Sequence, residues 1–299
     1  MVDPLAEVVT LLQPRAAFSK VVGGAGPWRI RRAESGQPFY CVLLEGACRL
    51  EADGCAPVDL VQGDFVLIPA ASGFTMSSMI APSTLDPDTT PVALLDGEFR
   101  LGAQEAPADV LLLVGHCNFG SPDASLLVSL LPQLVHVRGE PRLATIVQLV
   151  AGESRAQRPA RDVILARLLE VLLIEALRSS AGTTASPGLV RALADERLAL
   201  ALRRIHENVT APWTVAQLAK EAALSRSAFF ERFSRAVGMA PMAYLLAWRM
   251  ALAKDLLRRQ EGGVADVAGR VGYASASAFS VAFTRHVGLP PARYARDPG

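Results

Sequence analysis

The sequence predicts an α+β protein of more than one domain: an N-terminal β-barrel of the jelly-roll type with a helical extension, then an all-α domain of two helix-turn-helix units. Three observations predict this class. Residues 5 to 115 are short apolar runs broken by Gly, Pro and Asp. Residues 160 to 182 form one long apolar segment. In the last third of the chain, one stretch occurs twice, fifty residues apart.

The N-terminal region has the texture of strands and turns. Apolar runs of this length, separated by turn-forming residues, indicate β-strands, and many of them at close spacing favour a sandwich or a jelly-roll barrel. The clearest runs are FYCVLLEG, ACRLEADG, GDFVLIP, PVALLDGEFRL and DVLLLVG. The segment SMIAPSTLDPDTTPV, residues 78 to 92, is rich in Pro, Ser, Thr and Asp, and we expect an exposed and mobile loop there.

One of these strands carries a motif. Gly63 and Pro69 are separated by five residues, and Phe74 follows five positions after Pro69. This resembles the second motif of the cupin barrels, in which a metal-binding His follows the Pro at that distance. A metal site needs several His or carboxylate ligands, and the four histidines all lie beyond residue 100: His116, His136, His206 and His286. We therefore expect a cupin-like barrel with no metal, no cofactor and no enzymatic activity, whose apolar interior can hold a small molecule.

Residues 160 to 182, ARDVILARLLEVLLIEALRSSAG, predict a long helix that is apolar over most of its circumference. Such a helix is buried on two sides. One side can pack on the barrel and the other on a second subunit, in which case it is a dimerisation helix with Leu169 facing outward. The alternative is that both sides are internal core.

The segment GTTASPG, residues 182 to 188, predicts a flexible polar linker. The predicted domains are therefore a sensor barrel over 1–124, a helical linking and dimerisation segment over 125–181, a linker over 182–190, and the all-α domain over 191–296.

The repeated stretch runs from Ser225 to Tyr244 and again from Ser275 to Tyr294. Each copy reads as one helix, begun by a Ser N-cap and ended by Gly238 or Gly288 shortly before a Pro. Apolar residues at i, i+4 and i+8 place one buried stripe on each helix. These stripes are Phe229, Phe233 and Val237 in the first copy and Phe279, Phe283 and Val287 in the second.

A second short helix precedes each copy, over Thr214 to Ala222 and over Val264 to Arg270, and is joined to it by the turns AALS and VGYAS. This is the pattern of a helix-turn-helix motif. Ala219 and Ala268 are small enough for helices that cross closely. Two ordinary helical hairpins would explain the apolar stripes, but they leave the short, polar, Arg-bearing outer faces unexplained.

Charge is segregated along the chain. Residues 1 to 190 carry 14 Lys and Arg against 20 Asp and Glu, whereas residues 191 to 299 carry 16 against 9, so the net charges are −6 and +7. A basic half that coincides with paired helix-turn-helix units indicates a domain that binds DNA phosphates.

Residues 191 to 296 resemble the twin helix-turn-helix DNA-binding domain of the AraC/XylS transcriptional regulators. The second unit, VADVAGRVGYASASAFSVAFTRHVGLPPARY, follows the family signature, and the first unit matches through Arg249 and Ala253 of the connecting helix. Residues 1 to about 180 resemble the cupin-like sensor domain of one branch. The resemblance implies a transcription regulator, here expected to be an activator that responds to a small molecule or to chemical stress.

Two departures from the family matter. Many relatives carry Arg at the positions that are Glu231 and Val281 here. Glu231 can accept a hydrogen bond from cytosine N4 or turn away from DNA, and we favour the second. A Cys before a late-strand Gly, linked to oxidant sensing in some members, is replaced here by Val114 before Gly115, with Cys117 after it, so we interpret Cys117 as a buried inert thiol.

The predicted DNA contacts lie on the outer faces of the two repeated helices. We expect Arg226 to bind guanine, and Arg235 and Arg285 to bind phosphates. The helix Met242 to Arg259, roughly 27 Å long at 1.5 Å per residue, separates the two units so that they enter successive major grooves, about 34 Å apart. The full predicted set is Arg226, Ser227, Phe230, Glu231, Arg235, Ser275, Ser277, Ser280, Thr284 and Arg285.

The remaining expectations concern the surroundings of the protein. No uncharged apolar run of about 18 residues and no basic N-terminus occur, so we expect a cytoplasmic protein without membrane contact. Expected partners are double-stranded DNA, a second copy of the chain, RNA polymerase and an unidentified small-molecule effector. Three alternatives stay open: a redox switch using Cys41, Cys48, Cys55 or Cys117, a cupin enzyme fused to a DNA-binding domain, and an architectural DNA binder without sequence preference.

Overall fold

The computed structural model describes residues 2–296 except 34–36, 71–72, 81, 84–87, 95–97, 156–157 and 181–187. The chain divides into two compact units. The first, which we call the sheet unit, contains Gln13–Phe119 and Pro132–Ser186. The second, which we call the helical unit, contains Met1–Leu12, Gly120–Leu131 and Pro187–Gly299.

Two sheets make up the core of the sheet unit. The strands are β1 Pro14–Ala25, β2 Arg29–Arg32, β3 Phe39–Glu45, β4 Ala47–Ala52, β5 Val58–Val61, β6 Phe65–Ile68, β7 Phe74–Ser78, β8 Val92–Ala93, β9 Phe99–Gly102, β10 Val110–Phe119 and β11 Val135–Val137. One sheet has the order β11-β6-β3-β10-β1-β9-β8 and the other β2-β7-β4-β5. All pairs are antiparallel except β1 with β9. Each of the five apolar runs thus contains at least one strand.

The two sheets share one hydrophobic core, to which Phe39 of β3, Leu50 of β4, Met76 of β7 and Leu112 of β10 all contribute. Side chains that alternate along these strands explain how both sheets feed the same interior. The cupin-like fold is confirmed. It takes the form of a seven-stranded and a four-stranded sheet, and strand β11 lies in a segment predicted to be helical.

Two helices cover the outer face of the larger sheet, α3 Pro141–Arg155 and α4 Arg161–Ser179, and both pack on β1. The predicted long helix is therefore present, but Leu169 is buried, and the expectation that it faces outward is wrong. The apolar surface of α4 is largely used inside its own unit, because Leu165, Leu172, Leu173 and Leu177 are buried too.

The helical unit contains ten described helices. They are α1 Pro4–Leu12, α2 Ala124–Ser129, α5 Leu189–Leu193, α6 Glu196–Glu207, α7 Val215–Glu221, α8 Arg226–Val237, α9 Pro241–Arg258, α10 Val264–Arg270, α11 Ala276–Val287 and α12 Pro291–Tyr294. Two expectations need correction. Residues 4–12 are helical where a strand texture was expected, and α5 begins at Leu189, within the predicted linker; residues 182–187 of that linker lie outside the described residues.

The compact units are drawn differently from the predicted domains, because parts of the N-terminal half belong to the helical unit. Helix α1 buries Leu5, Val8, Val9 and Leu12, and it packs against α6 and α9. An amphipathic helix of nine residues needs such a partner surface, since it is too short to be stable alone. Which fragments fold independently stays a prediction.

Within the described part of the chain, no single helix is long and apolar enough to span a membrane. The pair α8 and α9 reaches that length and composition only when the two helices are taken together, across a bend of 53°.

Candidate nucleic-acid interface

Helices α8 and α11, the second helix of each helix-turn-helix unit, are called the recognition helices below. Each begins after its predicted N-cap Ser. The Ser225 hydroxyl accepts a hydrogen bond from the Ala228 amide at 3.2 Å, and the Ser275 hydroxyl accepts one from the Ala278 amide at 3.1 Å. Gly238 and Gly288 end the helices with φ of 90° and 86°, which is the left-handed region that glycine enters without strain. The helix-turn-helix reading of the repeat is confirmed at both units.

Both turns contain one residue with a positive φ, but the residue type differs between them. In the first, Ala223 has φ of 50°, and in the second Gly272 has φ of 82°. Each directly follows the C-cap residue of the preceding helix, Ala222 in the first unit and Val271 in the second. Leu224 then donates to the Ala219 carbonyl, and Tyr273 to the Ala268 carbonyl, both at 2.9 Å. The second turn contains one more residue before its Ser, so the short helices are offset by 49 residues and the recognition helices by 50.

The apolar stripes of α8 and α11 face inward as predicted, with all four phenylalanines at 0% exposure. Val237 is buried too, and Val287 is half-buried. This burial fixes the opposite faces outward. Eight of the ten predicted contact residues are exposed: Arg226, Ser227, Phe230, Glu231, Arg235, Ser275, Ser277 and Arg285. The hydroxyl of Ser275 serves the N-cap, and the remaining two residues, Ser280 and Thr284, are half-buried.

Hydrogen bonds separate the available side chains from those already engaged. Ser280 donates its hydroxyl to the Ala276 carbonyl at 2.7 Å, which leaves it only as an acceptor. Arg232, beside Glu231, forms an ion pair with Asp195, the N-cap residue of α6. Among the described residues, Arg226 and Arg285 have no ion-pair partner, so both guanidinium groups are available to a ligand.

Exposed apolar groups stand on both outer faces. Phe230 is 45% exposed on α8, and Val281 is 69% exposed on α11. Apolar side chains at such places can contact the methyl group of thymine. Sequence reasoning named Val281 only as a missing Arg. The signal that could have found it is its place off the Phe279/Phe283 stripe, which predicts exposure.

Arg249 of α9 connects the two helix-turn-helix units. Its guanidinium donates to the carbonyls of Val209 at 2.9 Å and Ala211 at 2.7 Å, in the loop before the first unit. On its other side it lies against Gly272 of the second unit, where an added Cβ would be 2.8 Å from an Arg249 nitrogen. Burial lowers the pKa of this Arg. Arg249 is thus a positioning residue that connects the loop before the first helix-turn-helix unit with the turn of the second, a role that the sequence pattern alone did not reveal.

A buried histidine ties α1 to this scaffold. His206 Nδ1 lies 2.5 Å from a Glu7 carboxylate oxygen, and His206 Nε2 lies 2.7 Å from the Tyr244 hydroxyl. The imidazole also stacks on Trp248 with ring centroids 4.4 Å apart. Glu7 of α1 is therefore connected through His206 of α6 to Tyr244 of α9. Helix α6 in turn packs on α7.

The thiols of the sheet unit are poor nucleophiles. Cys41, Cys48 and Cys117 are buried. Burial raises the pKa of Cys41 well above its ordinary value, and it raises the pKa of Cys48 and of Cys117 to about 12. Cys55 is partly exposed, and burial raises its pKa as well. Reactive thiols have depressed pKa values, so this environment disfavours the redox alternative.

The described part of the chain contains no group of three or more His, Cys, Asp and Glu side chains arranged to hold a metal ion. Phe74, at the position of the cupin metal ligand, is buried and packs on Phe39 with ring centroids 4.5 Å apart.

The fold and the paired turns define a class: a cupin domain combined with a DNA-binding helix-turn-helix domain. A cupin family model matches residues 3–182, and a helix-turn-helix domain model matches residues 218–297. The chain belongs to the AraC family of transcription regulators, because it carries both domains and is similar over its full length to regulators of that family.

Three relatives illustrate this membership. The chain is similar to an AraC-like transcription regulator of Streptomyces lividans, at 36% identity over 99% of both chains. It is similar to another of Streptomyces antibioticus, at 34% identity over 99% of both. It is also similar to the RCS-specific HTH-type transcriptional activator RclR of Escherichia coli, at 25% identity over 98% of this chain and 96% of that one.

Proposed function

We propose that this transcription regulator is a cytoplasmic, sequence-specific activator that binds its operator as a homodimer, contacts RNA polymerase, and responds to a small molecule held in the sheet unit. The observation that carries sequence specificity is the pair of capped helices whose outer faces are exposed and whose inner faces are fully buried. Activation is supported by the relative RclR, which is named an activator.

The two recognition helices divide the work of DNA binding. Arg226 is the first residue of α8 and is exposed, so its guanidinium can reach a guanine edge at the helix N-terminus, as in other helix-turn-helix proteins. Arg235 and Arg285 lie in the last turns of their helices, where they suit phosphate contacts. Ser227, Ser277 and Glu231 complete the exposed polar face.

Helix α9 sets the spacing. It is continuous over the 18 residues Pro241–Arg258, with a length of about 27 Å. Arg249, in the middle of this helix, contacts the loop before the first helix-turn-helix unit and the turn of the second, which supports a fixed spacing of the two recognition helices. We expect each subunit to protect two successive major-groove segments on one face of the duplex.

The homodimer is supported by the face of α4 that its own unit leaves uncovered. Val163, Ile164 and Val171 are 64%, 42% and 43% exposed, and Leu168 between them is half-buried. A second subunit raises the effective concentration of the second DNA-binding domain, which can increase avidity by about 10² to 10⁴.

The function is tested by selecting bound sequences from a random DNA pool and measuring variant affinities at several salt concentrations. Arg226→Ala should relax the preference at one base pair, at a cost of about 1–3 kcal/mol. Arg235→Ala should weaken binding to all sequences and reduce the salt dependence.

Arg232→Ala is the matched control on the same helix, because that side chain is engaged by Asp195, and we expect it to keep the base preference. If no sequence is enriched from the pool, the protein is an architectural binder and the proposal fails. If Arg226→Ala changes neither affinity nor preference, the assignment of Arg226 is wrong.

A further inference from the structure

The sheet unit contains a cavity of mixed chemistry between its two sheets. Most of its wall is apolar and includes Phe39, Phe74, Met76 and Leu112. Three basic side chains, Lys20, Arg32 and His116, complete the wall, and no carboxylate is among the described residues that line it. The cavity therefore combines an apolar body with a basic end, where Arg32 and Lys20 lie beside the imidazole of His116.

The basic groups act on one another. Burial lowers the pKa of His116, and the charges of Arg32 and Lys20 lower it further. Burial and Arg32 likewise lower the pKa of Lys20. Burial and neighbouring positive charge favour the neutral forms of His116 and Lys20, and an anion beside them would favour their charged forms instead.

One ring nitrogen of His116 makes no hydrogen bond within the described part of the chain. Its Nδ1 is buried and has no hydrogen-bond partner among the described residues, although its ring packs near Phe39 in a tilted arrangement with centroids 5.3 Å apart. Buried polar atoms are nearly always hydrogen-bonded, and an exception is explained by a bound water, an ion, a ligand or a functional role.

The cavity is narrow as it stands. The volume open to the centres of water molecules is about 30 Å³, room for about two waters. Met76 is unbranched and can change rotamer to widen it, whereas Phe74 and Phe39 pack on each other with ring centroids 4.5 Å apart. A slender ligand suits this space better than a bulky or branched one.

We propose that this cavity binds a small organic acid as its anion, with the carboxylate at Lys20, Arg32 and His116 and a single ring or short alkyl chain against Phe39, Phe74 and Met76. The proposal rests on the effector role of the sheet unit and adds the chemical class of the effector. Phe74, which stands where other cupins carry a metal ligand, belongs to the apolar wall that would contact the ring or alkyl chain of the ligand.

The test is calorimetric titration of the full-length protein with benzoate and hexanoate, beside their neutral counterparts benzyl alcohol and hexanol. We expect saturable binding of at least one acid, and at least tenfold weaker binding of its alcohol. Lys20→Met and Arg32→Gln should each weaken acid binding about tenfold or more. Arg32 is exposed, so its replacement should leave the fold intact, as circular dichroism would verify.

Arg31→Gln is the matched control. Arg31 neighbours Arg32 on β2, but its guanidinium pairs with Asp53 at 2.6 Å, and we expect wild-type affinity for the acid. The proposal is overturned if neither acid binds at millimolar concentration, if acid and alcohol bind equally well, or if Arg31→Gln loses as much affinity as Arg32→Gln.

DNA binding is measured on the same preparations by fluorescence anisotropy, which separates this proposal from the proposed function. A protein that selects a DNA sequence but binds neither acid overturns only the effector class. A protein that binds an acid but shows no sequence preference on DNA overturns only the regulatory function.

Discussion

At the scale of single residues, Gly272 shows why one position of the second unit accepts only glycine. Its φ is 82°, and an added Cβ would lie 2.8 Å from both the Arg249 guanidinium and the Thr210 Cα. We expect Gly272→Ala to lower the free energy of unfolding of the helical unit by about 1–3 kcal/mol, measured by urea denaturation. Gly269→Ala is the control, because nothing lies within 4 Å of its added Cβ. Equal midpoints for the two variants would contradict this account of Gly272.

His116 links stability to pH. Its folded-state pKa lies below its ordinary value of 6.5, first through burial and then through Arg32 and Lys20, while Phe39 and Tyr40 of β3 neighbour its strand. Because the unfolded chain then binds the proton more readily, the free energy of unfolding falls as pH drops through about 6.5.

His116→Gln should flatten this dependence in thermal unfolding between pH 8 and 5, and His286→Gln, in the helical unit, should leave it unchanged. An unaltered slope in His116→Gln would show that other groups cause the acid sensitivity.

At the scale of elements, helix α4 distinguishes apolar residues used inside the unit from those left for a partner. We expect the wild-type protein to sediment as a dimer and the Val171→Glu variant as a monomer that binds the operator more weakly, because the substitution places a charge in an apolar contact. Ser179→Glu, an exposed change near the end of the same helix, should preserve the dimer. The proposed homodimer would be wrong if the wild-type protein is monomeric at micromolar concentration and still binds its operator undiminished.

At the scale of the whole molecule, helix α1 belongs with the DNA-binding helices although it is first in the chain. Leu12 is fully buried, so Leu12→Ala should cost about 2–5 kcal/mol and accelerate hydrogen exchange in α6 and α9 as well as in α1. Thr10→Ala, at an exposed position of the same helix, is the control. Faster exchange confined to residues 4–12 would mean that α1 does not support the other helices.

Local signals determined much of this protein. The repeat, the two Ser caps, the two Gly stops and the phenylalanine stripes predicted the helix-turn-helix units and their buried faces, because capping and helical periodicity act over a few residues. The short apolar runs predicted the strands of the cupin-like unit for the same reason.

Only the tertiary structure decided which apolar faces meet each other. Leu169 and Val171 are two residues apart on one greasy helix, yet one is buried and the other exposed, because α4 packs on α3 and β1. Glu7 meets His206 across 199 residues of chain, and Lys20, Arg32 and His116 converge on one cavity from three strands. Such contacts depend on strand pairing and helix packing over long separations in sequence, which no local pattern encodes.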